Sequence, residues 1–212
     1  MSSFNLSIDD GTIQQINLKP NIFYKKPTIA LAKNLLGCLL IKVSNDGVAS
    51  GYIVETEAYI GPEDKAAHSY QNRRTKRTEV MFGEPGFAYV YKMHTHCLVN
   101  VVSGEQGNPE AVLIRAVEPF SGIELMKKRR GLNNLKMLTN GPGKLSKALG
   151  ITIEDYGTTF QEPPLMIGEG ITPENIGIGK RIGIDNSGEA KDYPLRFWIK
   201  GNPFVSRHQK ET

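Results

Sequence analysis

The stretch Gly51-Tyr-Ile-Val-Glu-Thr-Glu-Ala58 reads as a β-strand that closes on an acidic run, Glu55-Thr-Glu57. Strand side chains alternate between faces, so a regular strand sets Ile53, Glu55, Glu57 and Tyr59 on one side. A carboxylate there either faces water or is held at the mouth of a pocket, and the strand alone leaves both open. Upstream, residues 38–43 form another strand and residues 27–36 a helix. Pro27 suits a first turn, Gly37 a stop, and Ile29, Ala32, Leu35 and Leu36 make one apolar face. Residues 1–18 are polar and are expected to be loosely ordered.

Downstream, residues 61–80 are polar and carry Arg73-Arg-Thr-Lys-Arg77, a long basic loop. Residues 87–93, 98–102 and 111–117 are predicted strands, the first two joined as a hairpin. Residues 121–130 are predicted helix, with Ser121 and Glu124 as a capping box and Gly131 as the stop. A short helix covers residues 142–149, between Gly141 and Gly150. Residues 152–178, rich in Gly, Pro and Glu, are expected to be a surface excursion, with strands resuming at 181–184 and 195–200. Regular βαβ alternation is missing, so the pattern predicts one mixed α/β (α+β) domain with a mostly antiparallel sheet. Its expected layout is a flexible segment at 1–18, the domain at 19–207 and a tail at 208–212.

A chain of 212 residues, 39% hydrophobic and 23% charged, can bury a core and is not a disordered polymer. The net charge of +4 agrees with a polyanionic partner without deciding for one. Cys38 and Cys97 form no framework of spaced pairs and read as cytosolic thiols. The N-terminus lacks a cationic start followed by an apolar run, and no apolar stretch is long enough to span a bilayer. An intracellular protein without a membrane partner is expected, cytoplasmic in a bacterium or nuclear in a eukaryote.

Several side chains are out of place for plain packing. Tyr89 and Tyr91 share a strand face with Phe87 and Met93, either as core or as a slot in which an extruded base stacks. Arg115 interrupts the apolar strand Val112-Leu-Ile-Arg-Ala-Val117 and must snorkel or pair with a carboxylate or phosphate. Asn100, between Val99 and Val101, raises the same question more weakly. Arg73, Arg74, Lys76 and Arg77 form either a solvated face or a grip on backbone phosphates. Gly141-Pro-Gly-Lys144 opens a helix whose free amides favour an anion. It is not a nucleotide P-loop, because Leu145 follows Gly143-Lys144. His94-Thr-His-Cys97 lacks the second cluster a zinc site needs, so no metal is expected.

Read together, these residues resemble the alkyladenine (methylpurine or 3-methyladenine) DNA glycosylase family over residues 18–206. The most specific run is Ile53-Val-Glu-Thr-Glu-Ala-Tyr-Ile-Gly-Pro-Glu-Asp-Lys-Ala-Ala-His-Ser69. Met81-Phe82, Pro85-Gly86, Tyr89-Val-Tyr91, Leu113-Ile-Arg-Ala-Val-Glu-Pro119, Gly141-Pro-Gly-Lys-Leu145, Arg181-Ile-Gly183 and Pro194-Leu-Arg-Phe197 follow in order. The resemblance implies a curved sheet like that of the formyltransferase C-terminal domain. It implies a monofunctional enzyme that flips damaged purines from double-stranded DNA and hydrolyses their glycosidic bonds, as a monomer without cofactor. It puts the water-activating carboxylate on Glu57, its arginine partner on Arg115 and a main-chain carbonyl contact on Ile182. Base stacking falls on Tyr59, His68 and Tyr91, backbone readout on Ala66 and His68, and exclusion of normal guanine on Asn100. Backbone phosphates would meet Arg73, Arg74, Lys76, Arg77, Gly143 and Lys144. The family wedges a tyrosine into the minor groove; none follows Tyr91 here, so Met93 or His94 takes that role.

The chemistry implied is hydrolysis through a sugar with oxocarbenium character, with Glu57 orienting water and countering the charge. Cationic 3-methyladenine and 7-methylguanine leave readily, whereas hypoxanthine and ethenoadenine need a proton or hydrogen bond, to which His68 could contribute. Two rivals use the same residues: a non-catalytic nucleic-acid-binding module, which needs no Glu57, and a carbohydrate hydrolase using Glu55 and Glu57 as its pair.

Overall fold

The long strand β4 (Gly47–Tyr59) organises the sheet. In the computed structural model, which describes residues 3–7, 9, 12–24 and 27–206, one edge of β4 pairs with β7 (Ala111–Ser121). Its other edge serves two partners in succession: β3 (Leu39–Ser44) along the first half and β11 (Arg196–Ile199) along the second. Partners diverging from one edge force the sheet to curl. The hairpin β5 (Ala88–Met93) and β6 (His96–Val102) extends the sheet beyond β7. Beyond β3 lie β9 (Leu165–Gly168) and β8 (Gln161–Glu162), and beyond β11 lies β10 (Ile176–Gly179). Every described pairing is antiparallel, and the α+β class expected from sequence is the class observed. The expected tail at 208–212 lies outside the described residues.

Three helices, α1 (Thr28–Asn34), α2 (Ile123–Arg130) and α3 (Pro142–Leu149), accompany the sheet. Leu31, Leu35, Leu145 and Leu149 share the main core with Ile53, Ile114, Phe160 and Phe197. The apolar run of β3 needs cover on both faces. Leu40 joins that main core, while Leu39 and Ile41 face a second cluster holding Leu6, Ile16 and Met166.

That second cluster departs from the loose order expected of residues 1–18, as far as those residues are described. β1 (Ser3–Ser7) and β2 (Ile13–Asn17) form an antiparallel hairpin, anchored by buried Leu6 and Ile16. The expected capping box on α2 is also absent. Ser121 ends β7 and its hydroxyl lies 2.8 Å from that of Ser50, while Glu124 pairs with Lys127. The helix is capped instead by Asp9, whose carboxylate accepts the amides of Gly122 (2.6 Å) and Ile123 (3.0 Å). At Gly122 φ is +74° and a Cβ would stand 2.3 Å from the Val48 carbonyl oxygen, so only glycine fits the turn.

Two further expectations change. The stretch 152–178 is not merely an excursion, because Leu165–Gly168 is a fully buried strand paired with β3. The strand expected at 181–184 is a loop, and β10 at Ile176–Gly179 pairs with β11 instead.

The strand at the centre departs from regular alternation as well. Register shifts between Ile53 and Thr56 mark a β-bulge in β4 opposite β7. Ile53 and Thr56 consequently face α1, Thr56 through a 2.8 Å hydrogen bond from its hydroxyl to the Ala32 carbonyl. Val54 packs with Phe204 and Val205, and Glu55 reaches the adjacent Ser206. Ile53 is thus off the face expected for it, while Glu55, Glu57 and Tyr59 share the other. Bulges commonly re-aim side chains next to active sites.

Candidate active site

Glu57 is fully buried, and three donors reach it. Its Oε1 accepts the Ile182 amide at 2.8 Å and lies 3.2 Å from Nη1 of Arg115, while Oε2 accepts the Tyr59 hydroxyl at 2.9 Å. Each carboxylate oxygen offers two lone-pair positions, so Oε1 is filled and Oε2 keeps one for a further donor. Burial pushes the Glu57 carboxyl above its ordinary range, and Arg115, the Ile182 amide and the Tyr59 hydroxyl pull it back. Ile182 thus reaches Glu57 through its amide.

Tyr59 is held on two sides. Its hydroxyl is driven well above its usual range, first by burial and then by Glu57, so it remains a protonated donor. The Arg181 guanidinium lies over its ring, 4.7 Å from the centroid. Arg181 is in turn fixed by buried Asp64, with 2.8 Å from Nη2 to Oδ1, and by the Ala58 carbonyl at 3.0 Å. Asp64 also accepts the amides of Ile60 (3.2 Å) and Ala66 (3.0 Å), which shapes the loop carrying Ala66 and His68. The Ala66 amide is thereby committed, leaving its carbonyl as the group that could meet a base edge.

His68 sits at the head of an aromatic wall. Its ring meets Tyr91 edge-on at 4.6 Å, its Nδ1 lies 2.7 Å from the Tyr89 hydroxyl, and Tyr89 and Tyr91 stack at 5.3 Å. Burial, then Arg77 and Arg73, pull the imidazole down to about 4. A neutral ring keeps a single N–H, so what His68 offers a neighbour is a hydrogen bond and not a positive charge. Burial pushes the Tyr91 hydroxyl up to about 12, so it too stays protonated.

These groups surround a cavity of about 150 Å³, into which Tyr59, Ala66, His68, Tyr91, Asn100, Arg115 and Ile182 all project. Asn100 is anchored by its side-chain amide to the Tyr89 carbonyl at 3.0 Å. These seven expected residues thus meet at one cavity from β4, β5, β6, β7 and the loops at 61–69 and 180–184. Glu57 itself lies behind the lining, in contact with Tyr59, Arg115 and Ile182. The family described as Methylpurine-DNA glycosylase (MPG) matches residues 22–203 of this chain. The chain belongs to the methylpurine-DNA glycosylase family.

Membership makes it a DNA N-glycosylase, a hydrolase acting in repair of alkylated purines, and sets aside both the binding module and the carbohydrate hydrolase. Similar proteins come from Bacillus licheniformis (64% identical, covering 89% of this chain and 96% of the relative) and Oceanobacillus iheyensis (60%, 92% and 99%). Another comes from Bacillus subtilis strain 168 (60%, 90% and 97%), and all three carry 3-methyladenine DNA glycosylase as a provisional name.

At the rim of the glycosylase cavity, the β5–β6 hairpin turns through His94, at φ +55°, and Thr95. Met93 lines the cavity yet leaves 48% of its surface exposed, and His94 is exposed at the tip. The basic run is not uniform. Arg74 forms a two-pronged pair with Glu79 (2.6 and 3.0 Å) and covers Phe82, whereas Arg77 stands over the Tyr91 ring at 6.0 Å. Arg73 and Lys76 are exposed. At the start of α3, Lys144 bonds Asn140 at 2.8 Å, and a Cβ on Gly143 would come within 2.8 Å of His96.

A larger hollow of about 770 Å³ lies beside α3 and holds the ion pairs Lys42–Asp155 and Arg129–Asp46. Among the described residues no three His, Cys, Asp or Glu side chains gather as a metal site, and no helix is long and apolar enough to cross a membrane.

Residue-level reading missed Asp64 and Arg181 as parts of the site. Asp64 followed a Gly-Pro turn and Arg181 lay in a quoted motif, but their mutual pairing spans 117 positions and leaves no local signal.

Proposed function

We propose that this glycosylase flips an alkylated purine from double-stranded DNA into the aromatic cavity and hydrolyses its bond to deoxyribose with water activated by Glu57. The observation that carries the reading is a buried carboxylate, basic for its type, set among groups that line a cavity walled by uncharged rings. Water docks on the open position of Glu57 Oε2 and gives its proton to that carboxylate as its oxygen bonds to the sugar C1′. The C1′–N bond breaks, its electron pair leaves with the base, and free base plus an abasic deoxyribose result. The same carboxylate counters the positive charge growing on the sugar.

Cationic 3-methyladenine and 7-methylguanine suit this site best. Tyrosine faces attract a cation, and a neutral His68 does not repel one. Hypoxanthine and ethenoadenine, which carry no such charge, would be poorer substrates because their departure depends on a hydrogen bond alone. Asn100 would crowd the amino group of normal guanine. Met93, apolar and exposed at the rim, would fill the gap left in the duplex, with His94 beside it. Arg73, Lys76 and Arg77, with the Gly143–Lys144 helix start, would hold the phosphates. No lysine lines the cavity, which supports base release without strand nicking. The protein would act as a monomer, without cofactor, wherever genomic DNA is found.

Glu57→Gln tests this. We expect it to bind a duplex carrying 3-methyladenine as the native protein does, while single-turnover release of free base falls about a thousandfold, within the usual reach of general-base catalysis. Native rates in that variant would remove Glu57 from the chemistry.

A further inference from the structure

At the bulge, β4 carries a second carboxylate on the face of Glu57. Glu55 is fully buried and touches the same guanidinium as Glu57. Its Oε1 accepts Nε of Arg115 (2.9 Å) and the Ser206 hydroxyl (2.9 Å), and its Oε2 accepts the Ser206 amide (2.7 Å). Nη2 of Arg115 also donates to the Ser206 hydroxyl at 3.2 Å, and Nη1 of Arg196 stands 3.5 Å from Glu55. Two carboxylates and two guanidiniums balance in charge. Their geometry does not: Arg115 is tied at Nε and Nη2 to Glu55 and Ser206, and only Nη1 reaches Glu57, on one oxygen.

We propose that Glu55 and Ser206 are positioning residues that keep Arg115 turned edge-on to Glu57, so that Oε2 of Glu57 stays open for the attacking water. This rests on reading Glu57 as the base. A guanidinium released from Glu55 is built to grip a carboxylate with two parallel N–H bonds. On Glu57 that grip would occupy the open Oε2 position and weaken the carboxylate as a base. The remaining groups facing Glu57 cannot compensate. These are the Tyr59 hydroxyl on its own strand, Tyr91 from β5, Arg196 opposite it on β11 and the Ile182 amide. Glu55 acts on the Glu57 carboxyl in the same direction as burial, raising it.

The test is the pH profile of single-turnover excision of 3-methyladenine by Glu55→Gln and Ser206→Ala, with duplex affinity measured in parallel. Excision rises with pH as Glu57 loses its proton, so its acid limb follows that carboxyl. In Glu55→Gln, Glu57 becomes the sole anion beside Arg115. Its limb should move to lower pH and the neutral-pH rate should fall about tenfold, part of what a general base contributes. Affinity should be unchanged, and Ser206→Ala should follow in the same direction by less. A native limb in both variants overturns the proposal, as does weakened affinity with the limb unmoved, the mark of a purely structural role. If Glu55→Gln does not fold, the limb of Ser206→Ala decides alone. An inactive Glu57→Gln beside a native-like Glu55→Gln rejects the positioning role and keeps the base; an active Glu57→Gln rejects the base itself.

Discussion

The hollow beside α3 and the aromatic cavity use their charges in opposite ways. The larger hollow holds two one-to-one ion pairs, Lys42 with Asp155 and Arg129 with Asp46, whose carboxyl Arg129 helps pull down to about 2. In the smaller cavity Arg115 is shared between two carboxylates, Glu57 is left more basic than usual, and an imidazole is kept neutral. Volume favours the larger hollow, whereas the shared guanidinium and perturbed groups favour the smaller cavity as the site proposed for the chemistry, because such groups gather where chemistry needs them.

Substitutions on the two sides should separate stability from activity. The largest effect is expected at Lys42→Met, which strands buried Asp155 and should cost about 3–5 kcal/mol in denaturant unfolding. Excision per folded molecule should stay native; a selective loss of excision would give the larger hollow a role in the chemistry. Next comes Tyr91→Ala. Removing one stacking ring should weaken affinity for a 3-methyladenine duplex by about 1–3 kcal/mol, measured by fluorescence titration. Unaltered affinity would mean that the base does not stack there. The smallest effect distinguishes two neighbouring arginines. Arg77→Ala should flatten the salt dependence of binding by about one unit, and Arg74→Ala by less, since Glu79 already neutralises it. Equal slopes would show that the Arg74–Glu79 pair opens on DNA.

Much of the sheet could be read from the chain because its strands advertise themselves. β3, β5, β6 and β7 carry apolar runs between turn residues, and Gly131 and Gly150 mark helix ends, whereas α1 stops at Asn34, short of Gly37. The losses have local causes. The N-terminal hairpin buries one large apolar side chain per strand, Leu6 and Ile16, too few to show a period. β9 is four residues long and covered on both sides, so it has no alternation to detect. The cap on α2 comes from Asp9, 113 positions away, while Ser121-Gly-Ile-Glu124 mimicked a local one. Within the site, family resemblance supplied the residues that line the cavity, whereas alternation set Glu55 beside Glu57 without revealing its partners Arg115 and Ser206, 60 and 151 positions away. The register shift that takes Ile53 off the expected face is likewise a tertiary fact, set by how β4 fits β7.

The hairpin at the start of the chain has its own consequence. Leu6 and Ile16 cover Leu39, Ile41 and Met166 on the sheet face away from the main core, and Gly168 lies so near Ile16 that a Cβ would stand 2.3 Å from it. Stripped of those residues, the enzyme would present a greasy flank to every other copy of itself. Its earliest residues therefore guard solubility, and a trimmed protein would be lost to clumping before any defect in turnover could be seen.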